Sequence, residues 1–98
     1  MQETIQARGT FKTGEASRYL RQLCKHFSHK VDVTFDAHHG DVQFPFGTAD
    51  LEAGQDALVA TINAKTAEDL GRAQHVIDDH LKRFAFREKC DGMSWEVV

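Results

Sequence analysis

The chain predicts an α+β fold, a two-layer sandwich with two helices on one face of a largely antiparallel sheet. Two observations carry this. Most of the chain alternates apolar and polar residues with the period of a half-buried strand. Two stretches, around residues 15 to 29 and 66 to 87, switch to the helical period, each with one apolar stripe. Strands with one apolar face and helices with one apolar stripe bury both most simply when the helices cover a single side of the sheet.

The elements follow in the order β-α-β-β-β-β-α-β. Residues 3 to 11, ETIQARGTF, place Ile5, Ala7, Gly9 and Phe11 on one side. Ala16, Tyr19, Leu20, Leu23, Cys24 and Phe27 then form a helical stripe, with Thr13 as the expected N-cap. Val31, Val33 and Phe35 begin the next strand, and HHGD at 38 to 41 reads as a turn. Val42, Phe44 and Phe46 make the following inward set. Pro45, which lacks an N–H for the ladder, suggests an edge or a bulge there. GTAD at 47 to 50 reads as another turn, Leu51 and Ala53 as a short strand, and GQD as a third turn. Leu58, Ala60, Ile62 and Ala64 mark a clear strand. Thr66-Ala67-Glu68-Asp69 resembles a capping box, with Asp69 in place of the usual Glu. The helix it opens carries Leu70, Ala73, Ile77, Leu81 and Phe84 on one stripe and is predicted to end near Arg87. After an Asp91-Gly92 turn, Met93, Trp95 and Val97 close the chain as a strand. By pattern, this layout resembles the TATA-binding-protein-like two-layer arrangement.

Ninety-eight residues with 41% hydrophobic and 28% charged content predict one globular domain spanning 1–98, with a core that needs no staples. The formal charge of −3 supplies no overall attraction to nucleic acid or anionic membrane. No apolar run reaches membrane-span length, and the first residues lack the apolar core of a signal peptide, so the expected compartment is the cytoplasm. Cys24 and Cys90 form no CxxC and are expected as free thiols. The uncovered sheet face is expected to carry Asp32, Asp36, Asp41, Glu52 and Glu96, against Arg8 alone. That charge is the wrong sign for gripping nucleic acid, so a DNA-binding role by analogy of fold fails on chemistry.

Residues 23 to 30, LCKHFSHK, hold two histidines and a cysteine. At about 100° per residue, His26 lies about 200° and His29 about 140° from Cys24, so the thiol belongs to the apolar stripe and not to a shared ligand set. His26 and His29 are i, i+3 neighbours, but two imidazoles alone do not make a metal site. His29 extends a basic ridge through Arg18, Arg21 and Lys25. His26 and His80 each border an apolar stripe. If those borders face one another, Arg83 and Arg87 join them, and Glu88 is at hand as a partner for the histidines. His38 and His39, in a predicted turn, and His75, on the polar side of the second helix, are expected to be exposed and inert. No glycine-rich phosphate loop, HExxH or nucleophile elbow is present.

Taken as a pair, ASRYLRQLCKHFSHK at 16 to 30 and HLKRFAFRE at 80 to 88 resemble a bacterial family, domain of unknown function 2218. The element order and the late Trp95 agree, so the resemblance covers nearly the whole chain. It implies a link to iron handling, because this domain also occurs appended to siderophore-interacting, flavin-dependent ferric reductases. His26, His29, His80, Arg83, Arg87 and Glu88 match the family's stretches, without an established role to transfer.

The functional expectation is a binding module for a small anionic or siderophore-linked ligand, held between the helices by those six residues. Arginine suits such a ligand because its fork matches carboxylates and phosphates. The alternative is an interaction domain that meets a second copy or a partner protein. An enzyme using a tuned histidine ranks last, because no nucleophile or carboxylate is evidently paired with either histidine. Neither a cofactor nor a metal is specified by the sequence.

Overall fold

The computed structural model describes residues 4–98. Glu3, where the first predicted strand begins, lies outside the described residues. The elements are β1 (Ile5–Lys12), α1 (Ala16–Phe27), β2 (Asp32–Phe35), β3 (His39–Phe44), β4 (Gly47–Ala53), β5 (Ala57–Ala64), α2 (Ala67–Phe84) and β6 (Ser94–Val97), with a short 3-10 turn at Phe86–Glu88. The sheet order is β2-β3-β4-β5-β1-β6, and every neighbouring pair is antiparallel. Both helices pack on one face, as the periodicity requires.

Strand β5 buries Leu58, Ala60, Ile62 and Ala64, each facing the helices at every second residue. Leu20, Leu23 and Cys24 of α1 and Ala73, Ile77 and Leu81 of α2 close over them, all without solvent exposure. Gly9 and Gly40 allow two close approaches. A Cβ on Gly9 would lie 2.7 Å from the Trp95 ring, which packs across from it on β6. A Cβ on Gly40 would lie 2.5 Å from Cys24 Sγ, so this glycine sets how closely α1 can lie on β3. Burial, then the Asp41 charge, pushes the Cys24 thiol up to about 11, leaving it an apolar packing group.

The Thr66 hydroxyl caps α2 by accepting from the Asp69 N–H at 3.1 Å. Asp78, on the underside of α2, accepts from the Met93 N–H and from Trp95 Nε1, each at 2.8 Å, and so ties the last strand to the helix.

Four local expectations change. The β3–β4 hairpin turns at Pro45-Phe46, not at GTAD, with Phe44 paired to Gly47. Proline's fixed φ suits the first corner of a tight turn, so it marks the turn itself and not a sheet edge. The HHGD segment contributes His39 to Asp41 to β3, because the Asp36 carboxylate accepts the N–H groups of His38 and His39 at 2.8 Å and completes the turn earlier. Helix α2 ends at Phe84, ahead of Arg87, and the next residues tighten into the 3-10 turn. Thr13 is buried and accepts from the Glu15 N–H at 3.0 Å, while Glu15 occupies the N-cap position of α1.

The Gly40–Cys24 contact generates a test. Gly40→Ala is expected to destabilise the fold by about 1–3 kcal/mol through overpacking. Urea denaturation of the Cys24→Ala/Gly40→Ala double variant should show a smaller loss than the two single losses added together, because the alanine at 24 makes room for the new methyl group.

Candidate functional site at the helix seam

Helices α1 and α2 meet along a seam, and His26 and His80 face one another across it with ring centroids 4.5 Å apart. His26 also packs edge-on to Phe27 and Phe84, at 5.7 and 6.2 Å. His80 Nδ1 lies 2.7 Å from the Val76 carbonyl, which can only accept, so this nitrogen carries the proton. His26 Nε2 is shut off from solvent and has no hydrogen-bond partner. Burial, reinforced by His80, Lys30, His29 and Arg83, holds the His26 pKa below its ordinary 6.5, so its ring is neutral at pH 7.

The histidine pair forms one wall of an apolar hollow of about 370 Å³. Phe44 and Phe46, stacked at 5.0 Å and 9°, form the opposite side with Pro45 between them, and Lys30 is the cation on its lining. The two-residue turn at Pro45-Phe46 therefore builds part of the site. Phe27 is wedged edge-on against Phe44 at 5.1 Å and joins the two walls.

One helical turn further along the same seam is a second, polar hollow of about 260 Å³. Arg18, Tyr19 and Gln22 of α1 face Arg83 and Phe84 of α2 and Arg87 of the 3-10 turn. Arg83 lies 3.3 Å from Asp79 on its own helix. The Gln22 side-chain oxygen is closed off from solvent without a partner.

Of the six residues expected to converge, His26 and His80 share the apolar hollow, and Arg83 and Arg87 share the polar one. His29 follows the last turn of α1, is exposed and lines neither. Glu88 lines neither hollow. Its carboxylate accepts hydrogen bonds from the Thr13 hydroxyl, at 2.8 and 3.0 Å, and from the Tyr19 hydroxyl. That bond, with burial and the Glu88 charge, pushes the Tyr19 phenol up to about 12. Glu88 thus fastens the 3-10 turn to the start of α1 and positions Arg87.

The profile of a family described as uncharacterized protein conserved in bacteria (DUF2218) matches residues 8–96. The chain belongs to this family. The NMR structure of a Pseudomonas aeruginosa protein superimposes on it with a TM-score of 0.78 at 29% identity, covering 94% of this chain and 95% of that one. No curated protein matches. In this member of the DUF2218 family, the expected element order is the observed one, and no helix of the described residues is long and apolar enough to cross a membrane.

Sequence reasoning missed Arg18, Gln22 and the Phe44–Phe46 wall as site components. The signal was available for Gln22, which lies one helical turn before His26 on the same border of α1. It was hidden for Phe46, which the alternation placed in a strand.

A lowered histidine pKa makes stability depend on pH in a definite sense. The unfolded chain takes up a proton at His26 near pH 6.5, and the folded chain does so only at lower pH. The stability associated with neutral His26 is fully present above 6.5 and is lost as pH falls from there through the folded pKa. NMR titration should place His26 below 6.5, and His26→Gln should flatten this part of the stability-pH curve.

Proposed function

We propose that this chain is a binding module for a small aromatic or otherwise apolar anion, seated along the α1–α2 seam. The observation that carries the reading is the succession of two hollows one helical turn apart, one walled by aromatic rings and the other by three arginines. The stacked phenylalanines and the neutral His26 ring suit a flat apolar body. Arg18, Arg83 and Arg87 suit a carboxylate or phosphate at its end. The residues that line the two hollows include no serine, cysteine or carboxylate, which favours binding over nucleophilic chemistry. The resemblance to domains appended to ferric reductases makes a siderophore-derived aromatic anion the first ligand to try.

The test is a calorimetric and NMR titration with 2,3-dihydroxybenzoate, with benzoate as the plain carboxylate. Both should move the signals of Gln22, His26 and His80. Arg83→Ala/Arg87→Ala should weaken binding by about tenfold or more, the loss expected for a charge-assisted hydrogen bond. Unchanged affinity in that variant, or signal changes confined to other surfaces, would reject the reading.

A second reading, pairing with another copy, is favoured by Phe35 on edge strand β2 and Val97 on edge strand β6, which are 39% and 71% exposed. Light scattering at high concentration distinguishes it.

A further inference from the structure

The sheet face away from the helices carries a side-chain cluster that the seam does not use. In the β3–β4 ladder, His39 is directly opposite Glu52, and Asp41 is directly opposite Asp50. Strand pleating sends all four to the open face. One ligand atom each from His39, Asp50 and Glu52 falls within 4.8 Å of the others. Asp41 stands at the rim, 3.9 Å from His39 Nε2.

We propose that His39, Asp50 and Glu52 form a binding site for a divalent transition-metal ion of the zinc class, with Asp41 supplying further negative charge at the rim.

Three features support this. The first is charge. Carboxylates directly opposite one another on adjacent strands repel, and Asp41 and Asp50 are such a pair. Three carboxylates surround one histidine, so even a protonated ring leaves two negative charges, which one divalent ion balances. The flanking positions do not help: Thr34 on β2, and Thr61 and Val59 on β5, are the neighbours in register. Arg8 lies a strand further on from Thr61, across from Glu96.

The second feature is convergence. His39 Nε2 on β3 meets Asp50 Oδ1 on β4 directly, so donor atoms from two strands already point at one place on the open face.

The third is rigidity. β3 and β4 each pair with a strand on both sides, and the Asp36 carboxylate pins the N–H of His39 at the start of β3. The ligands therefore sit on fixed backbone, as a metal site requires. One imidazole nitrogen with two carboxylate oxygens suits zinc-class ions, while calcium and magnesium prefer oxygen alone. Three protein ligands leave room for a fourth from water or a small molecule.

Burial pulls the His39 pKa down, but the charge and hydrogen bond of Asp50, then Asp41 and Glu52, bring it above 6.5. A metal ion must displace that proton, so its affinity rises with pH.

The experiment uses the full chain without a histidine tag, stripped with chelator and titrated with zinc chloride while the imidazole NMR signals are followed. The His39 signals should shift and saturate at about one equivalent, with His38 and His75 unmoved. His39→Gln, Asp50→Asn and Glu52→Gln should each weaken zinc by about tenfold or more. Amide spectra establish that each variant is folded, and Glu52→Gln carries the test if Asp50→Asn is not. Absence of saturable binding, zinc shifts at His26 or His80 in place of His39, or an unchanged affinity in folded His39→Gln would overturn the site. Equal binding of magnesium would also overturn it, because the nitrogen ligand would then contribute nothing.

Discussion

Strand β5 carries Leu58, Ala60, Ile62 and Ala64 on a single face, and both helices close over that face. The strand pairs with β4 on one side and β1 on the other, so it fixes the sheet's middle and the helices' seat together. A slip of one residue in its register would turn all four side chains to solvent, which is why the pairing is specific. From this the two-sided character of the molecule follows. One face is committed to packing, and the other is left free for polar chemistry.

The seam between α1 and α2 is the border of the packed layer, and its character changes along its length. Where the β3–β4 turn reaches up beside it, phenylalanines line it and histidine rings are partly desolvated. Where the 3-10 turn after α2 lies against the start of α1, arginines line it. Glu88 divides these roles. Its bonds to Thr13 and Tyr19 hold the 3-10 turn in place, and Arg87 is delivered to the polar hollow as a consequence. An amphiphilic anion fits such a gradient better than a bare inorganic one, which would leave the aromatic walls without a partner.

The helices were legible because their stripes are long and uninterrupted. Leu70 to Leu81 and Ala16 to Phe27 hold the helical period for several turns, and each residue named on the stripes up to Leu81 is buried. The hairpins were less legible. HHGD and GTAD contain residues that favour turns, but their alternation also fits strands, and the ladder between β3 and β4 decided for strands. With both segments read as turns, His39 and Asp50 fall in loops, and their convergence with Asp41 and Glu52 on one face stays hidden although the spacings His-x-Asp and Asp-x-Glu are plain. The seam site is legible in half: the two stripes put His26 and His80 on borders that can face one another, and helix packing brings the rings together. The separation of the arginines from them depends on where α2 stops.

By itself the sequence determined the α+β class, the element order, the buried stripes, the inert packing of Cys24 and the acidic character of the open face. These follow from local periodicity and charge, which need no knowledge of what lies opposite. Tertiary structure alone decided the strand register, the division of the seam into an apolar and a polar hollow, the commitment of Glu88 to Tyr19 and Thr13, and the meeting of His39 with Asp50 and Glu52. Each of those depends on contacts between residues distant in the chain, and such contacts are set by how layers pack and ladders align, not by the pattern within any one segment.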